Sequence, residues 1–71
     1  KNENDVASKS SFLSSLGTAY NNIGYVYDYK GDLSKALLYY KKALGIYEEQ
    51  NNQSGLSMLL SNMGYTYDKL G

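Results

Sequence analysis

The chain repeats itself. Laid on itself at an offset of 40 residues, Asn21 to Gly31 (NNIGYVYDYKG) falls on Ser61 to Gly71 (SNMGYTYDKLG). Asn22/Asn62, Gly24/Gly64, Tyr25/Tyr65, Tyr27/Tyr67, Asp28/Asp68 and Gly31/Gly71 are identical, and Ile23/Met63 is a conservative pair. Six identities in eleven positions, two of them glycines, are not expected by chance. Upstream the match thins to Leu16/Leu56 and Ser14/Ser54. A period of this length marks repeat architectures, in which no unit buries its apolar face alone and neighbours stack to complete a core.

Size points the same way. A chain near 60 residues buries only about 60% of the surface its unfolded state exposes, so it is marginal alone. Small domains usually compensate with disulfides or a structural metal. With no Cys and no His in 71 residues, neither a disulfide nor the commonest zinc ligands are present. Tight helix packing, oligomerisation or stacking on a neighbour remain.

The apolar spacing is helical throughout. From about Phe12 to Tyr29 it gives one stripe of Leu13, Leu16, Tyr20, Ile23 and Tyr27. Gly31 supplies the permissive conformation that ends a helix, and Asp32 is a good N-cap for the next. The second helix, to about Gln50, carries Leu33, Ala36, Leu37, Tyr40, Ala43, Leu44 and Tyr47. After a polar break at Asn51 to Gln53, a third helix runs from about Ser54 to Leu70 with Leu56, Leu59, Leu60, Met63, Tyr67 and Leu70. No segment alternates with the period of a strand. The polar residues 1–11 are a lead-in or the start of the first helix, with Asp5 as its expected cap. The expected architecture is all-α, an α-solenoid of antiparallel helix-turn-helix repeats. It divides into residues 1–11, a first hairpin over 12–50, and the first helix of a second unit over 51–71.

These residues resemble the tetratricopeptide repeat, whose pattern places a large aromatic, then Leu-Gly, then Tyr on one helix and A-x3-F on the next. Here Tyr20, Ile23-Gly24 and Tyr27 occupy the first set, and Ala36 with Tyr40 the second, followed by Ala43-Leu44. Small residues such as Gly24 and Ala36 let two helices approach, and large ones fill the remaining space. The family's terminal Pro is replaced by Glu48, and the period is 40 rather than 34, which puts Met58 where a shorter repeat would want glycine. Six more residues correspond to roughly 9 Å of helix or to a longer connection. That resembles the long-repeat subclass of kinesin-light-chain-type and bacterial peptide-sensing repeats.

The resemblance implies a concave groove lined by the first helices of successive units. Its residues would be Thr18, Asn21, Asn22, Tyr25, Asp28 and Tyr29, then Met58, Ser61, Asn62, Tyr65, Asp68 and Lys69. Asn22 and Asn62 would offer donor and acceptor to an extended peptide backbone, and Tyr25 and Tyr65 broad contact with a polar tip. The carboxylate clamp of some members needs several basic groove residues, and only Lys69 is available. Asp28 with Asp32 looks like a carboxylate pair, but Asp32 is better explained as a cap.

No catalytic residue, cofactor or metal site is expected. Serines are numerous, yet no His exists to activate one. Seven Lys against seven acidic residues give a net charge of zero, which speaks against a nucleic-acid surface. No apolar run approaches the roughly 20 residues of a membrane span, and no signal peptide is visible. The compartment stays open, with a cytoplasmic location favoured. Two functions remain: a non-catalytic scaffold in a repeat array that binds a protein or peptide, or a homo-oligomer that dimerises or exchanges helices. The second is motivated by Met58, Tyr65 and Leu70, for which no following helix supplies a cover.

Overall fold

A computed structural model describes the backbone of residues 2–71 and the side chains of residues 8–71. Three helices follow one another, α1 (Asn2–Lys30), α2 (Leu33–Glu49) and α3 (Gln53–Leu70), and no strand occurs among the described residues. α1 begins earlier than the expected start near Asp5, because no Gly or Pro in the first eleven residues stops it. The Asp5 cap itself falls on side chains outside the described residues, as does Lys1. The 40-residue period is taken up by helix: α2 has 17 residues and α3 has 18, and the connections, Gly31–Asp32 and Gln50–Asn52, are short.

One device ends each helix. Gly31 has φ 89°, its N–H bonds the Asp28 carbonyl at 2.9 Å, and the Asp32 N–H bonds the Tyr27 carbonyl at 2.9 Å. This is a Schellman motif with glycine in its left-handed position. α2 ends the same way, with Asn51 at φ 54° and N–H bonds from Asn51 to Glu48 and from Asn52 to Tyr47. Asn tolerates that conformation better than most residues with a Cβ. The residue completing each motif then caps the next helix: Asp32 Oδ1 accepts from the Lys35 N–H at 3.2 Å, and Asn52 Oδ1 from the Gly55 N–H at 2.9 Å. Chain direction therefore reverses within two or three residues.

The core lies along α2. Ala36, Tyr40, Ala43 and Tyr47 are buried on it, joined by Leu59 and Met63 of α3. Tyr40 lies against Gly24 of α1, where an added Cβ would come within 2.6 Å of the ring, and Tyr47 fits between Gly17 of α1 and Gly55 of α3. Tyr39 closes the outer side of the hairpin, stacked on Tyr27 at 5.6 Å and tilted toward Tyr20 at 6.1 Å. The ammonium groups of Lys35 and Lys42 sit over Tyr27 and Tyr20 at 5.5 and 5.8 Å. Gln50 pins the end of α2, accepting from the Ser14 hydroxyl and donating to the Ser10 carbonyl.

The α2 stripe matches its expected face, but the other two stripes need correction. Ile23, Leu60 and Tyr67 were expected to face the core, and they are 38%, 54% and 48% exposed. The buried positions of α1 are instead Gly17, Asn21, Gly24 and Asp28, which face α2 and α3 together. On α3 the buried set is Gly55, Leu59, Met63 and Thr66. The reason is positional. Leu60, Gly64 and Tyr67 repeat Tyr20, Gly24 and Tyr27, the α1 surface that α2 covers, and nothing lies within 4 Å of a Cβ built on Gly64.

The two equivalent glycines should therefore respond oppositely to alanine in dilute solution. Gly24→Ala forces the Tyr40 ring or the Ala36 carbonyl to move, an overpacking cost of about 1–3 kcal/mol that outweighs the helix-propensity gain. Gly64→Ala meets open space and gains up to about 1 kcal/mol. Urea melts of the two variants check the pair, and a loss of stability in Gly64→Ala would show that its face is covered in solution.

Candidate functional site

Residues seven apart on a helix share a face, and this places Asn21 and Asp28 of α1 along one line facing α3. On α3 the three-and-four spacing of Asn62, Thr66 and Lys69 presents a matching line. Asn62 Nδ2 donates to Asn21 Oδ1 at 3.0 Å. The Thr66 hydroxyl donates to Asp28 Oδ2, with the Asn62 carbonyl a second acceptor at 3.2 Å, and the Lys69 ammonium pairs with Asp28 Oδ1. These bonds join residues 38 to 41 apart, so α1 and α3 run parallel, one repeat out of step. Asp28 and Thr66 are buried, and their polar atoms have partners, as burial requires.

Above this seam lies an open cavity of about 310 Å³, lined by Tyr25, Asp28, Tyr29, Tyr40, Asn62, Tyr65 and Lys69. Tyr40 supplies the floor from α2. Tyr25, Tyr29 and Tyr65 stand at the rim, 61%, 85% and 71% exposed. Among the described residues no three His, Cys, Asp or Glu side chains gather to hold a metal, and no helix is long and apolar enough to cross a membrane.

Of the residues expected in the groove, Tyr25, Asp28, Tyr29, Asn62, Tyr65 and Lys69 come together around this cavity. Asn21 is buried beneath it as the partner of Asn62. Thr18, Asn22, Met58, Ser61 and Asp68 are exposed and do not line it. The Thr18 hydroxyl instead shares a hydrogen bond of 3.3 Å with the Tyr47 hydroxyl. Asp32 takes no part with Asp28, being occupied as the α2 cap. Of the residues suggested for self-association, Tyr65 belongs to the cavity, whereas Met58 and Leu70 are exposed outside it. Sequence reasoning missed Thr66 and Tyr40. The signal for Thr66 was its place one turn after Asn62 and one before Lys69, opposite Asp28. Tyr40 carried no signal beyond its place in the α2 core.

The hydrogen bond from Lys69, followed by that from Thr66, holds the Asp28 carboxyl below its ordinary value of 3.8, against the opposing effect of burial. Burial, with the charge of Asp28 next, raises the Tyr40 phenol above 10.0, so it stays neutral under ordinary conditions. Because the folded value of Asp28 lies below the unfolded one, its contribution is complete above about pH 4. It is lost as pH falls through the folded value. Asp28→Asn should therefore lower the melting temperature at pH 7 and lose less of it on acidification. The two curves should converge at low pH, and parallel curves would show that Asp28 does not link α1 to α3.

The family model of the tetratricopeptide repeat matches residues 17–50. The match opens at Gly17, which receives Tyr47, and closes at Gln50, the C-cap of α2. No curated protein and no solved structure matches the chain significantly. The matched segment contains every small-on-large contact between α1 and α2 described above, and residues 17–50 form a tetratricopeptide repeat, a module that in general serves protein–protein contacts.

Proposed function

We propose that the chain is a peptide-binding scaffold module, holding an extended segment of a protein partner in the groove between α1 and α3 without chemical change. Family membership supports the general role, since tetratricopeptide repeats are in general non-catalytic modules for protein contacts. The observation that carries the finer reading is the cavity at the α1–α3 seam, with three exposed tyrosines around hydrogen-bonding groups. Tyrosine supplies large contact area at low entropy cost. Asn62 uses its Nδ2 on Asn21, which leaves its Oδ1 to accept from a peptide N–H. Tyr25→Ala with Tyr65→Ala should lower retention on an array of random peptides by about tenfold or more. Leu38→Ala, at an exposed α2 position outside the cavity, should leave retention unchanged. Equal retention by all three proteins would remove the groove.

A second reading, self-association, has its own observation: the exposed stripe of Leu60, Gly64 and Tyr67 on α3, the repeat copy of a surface that α2 covers on α1. Such a face favours a helix of a second chain. Sedimentation at micromolar concentration should show a dimer that Leu60→Glu with Tyr67→Glu converts to monomer. A wild-type monomer would exclude this reading and leave the groove untouched.

A further inference from the structure

We propose that the cavity is a cation subsite, built to take an arginine side chain of the bound peptide, with the Asp28 carboxylate as anchor and Lys69 as an internal stand-in. The inference rests on the groove reading and specifies its ligand. Asp28 is only 8% exposed yet lines the cavity, so a carboxylate forms part of its floor. The rim is Tyr25, Tyr29 and Tyr65, whose ring faces attract cations. Asn62 Oδ1 adds an amide oxygen acceptor.

Among the described residues the one cation lining the cavity, Lys69, is already consumed by Asp28. A ligand carboxylate would thus find its counter-charge neutralised, whereas a ligand cation finds acceptors and aromatic faces. The Lys69 side chain is 51% exposed, on a flexible four-carbon stem. Half of the Lys69 side chain stays in solvent, so its ammonium can turn to water when another cation takes its place on Asp28. Its replacement by a guanidinium is an exchange of one cation for another and leaves no charge unpaired. Arginine suits the site better than lysine, because its planar fork can bind a carboxylate and stack on a tyrosine ring at once.

The test uses the whole chain and two probes: a short acetylated and amidated alanine peptide with arginine at its centre, and the same peptide with citrulline, its neutral isostere. Binding is read from shifts of the tyrosine ring resonances. The arginine peptide should bind roughly fivefold or more tighter than the citrulline peptide. Lys69→Met, which frees Asp28, should tighten arginine binding severalfold relative to citrulline binding. Asp28→Asn should erase the preference. Equal binding of the two peptides by the wild type would overturn the cation subsite while leaving the groove in place. A preference that survives Asp28→Asn, or Lys69→Met weakening both peptides alike, would also overturn it. Silence of both peptides would remove the groove and the subsite together.

Discussion

Two tyrosine rings resting on glycine hold the helices in register. Tyr40 and Tyr47 stand two turns apart on one face of α2, and Gly24 and Gly17 stand two turns apart on α1, so both rings find their hollows in a single antiparallel alignment. Gly55 closes on Tyr47 from α3, which ties the third helix to the same ring. Each ring contributes on the order of 3 kcal/mol of apolar burial, but its geometric effect matters more. A slip of one residue would set a ring against a side chain where now there is only backbone. Tyr39, stacked beside Tyr27, fastens the outer seam in that same register.

That arrangement explains what was legible in the sequence. The α2 face could be read directly because α2 lies between two helices, and its Ala and Tyr positions have a single meaning. The ends of α1 and α2 were partly legible. Gly31 and Asp32 are common signals, whereas Asn51 and Asn52 looked like a polar break and together form a second Schellman turn and cap. Ile23, Leu60 and Tyr67 misled for a different reason. Helical periodicity locates an apolar face, but whether that face is covered depends on a neighbour beyond the helix itself. The cavity-lining Tyr25, Asp28, Tyr29, Asn62, Tyr65 and Lys69 were legible from the family pattern, while Thr66 was not, because its role exists only across 38 residues of sequence in folded register.

The contact between α1 and α3 is of another kind. It is polar, made by Asn21 with Asn62 and by Asp28 with Thr66 and Lys69. Such bonds give modest net stability but tolerate little misalignment, since an unpaired buried carboxylate is costly. The division of labour is physical: the tyrosines on glycine supply cohesion, and the polar seam fixes how far α3 slides along α1. The same seam leaves oxygen acceptors at the floor of the cavity, so a structural requirement and the proposed recognition surface share one set of atoms.

The repeat is not symmetric at this seam, and that limits how copies can join. Asp28 has its counterpart in Asp68, which is exposed. The donors that satisfy Asp28 are Thr66 and Lys69, and their counterparts on α1 are Val26 and Tyr29. A second chain stacking its α1 against α3 in repeat register would set Asp68 against a valine and a tyrosine, burying a carboxylate without its donors. The Leu60, Gly64 and Tyr67 stripe carries no such conflict, because its α1 counterpart accepts α2 through apolar, aromatic and cation–π contact, with no carboxylate to bury. The self-association reading is therefore confined to that stripe. A helix lying against Asp68 in the same register would need donors in place of those that Thr66 and Lys69 give Asp28.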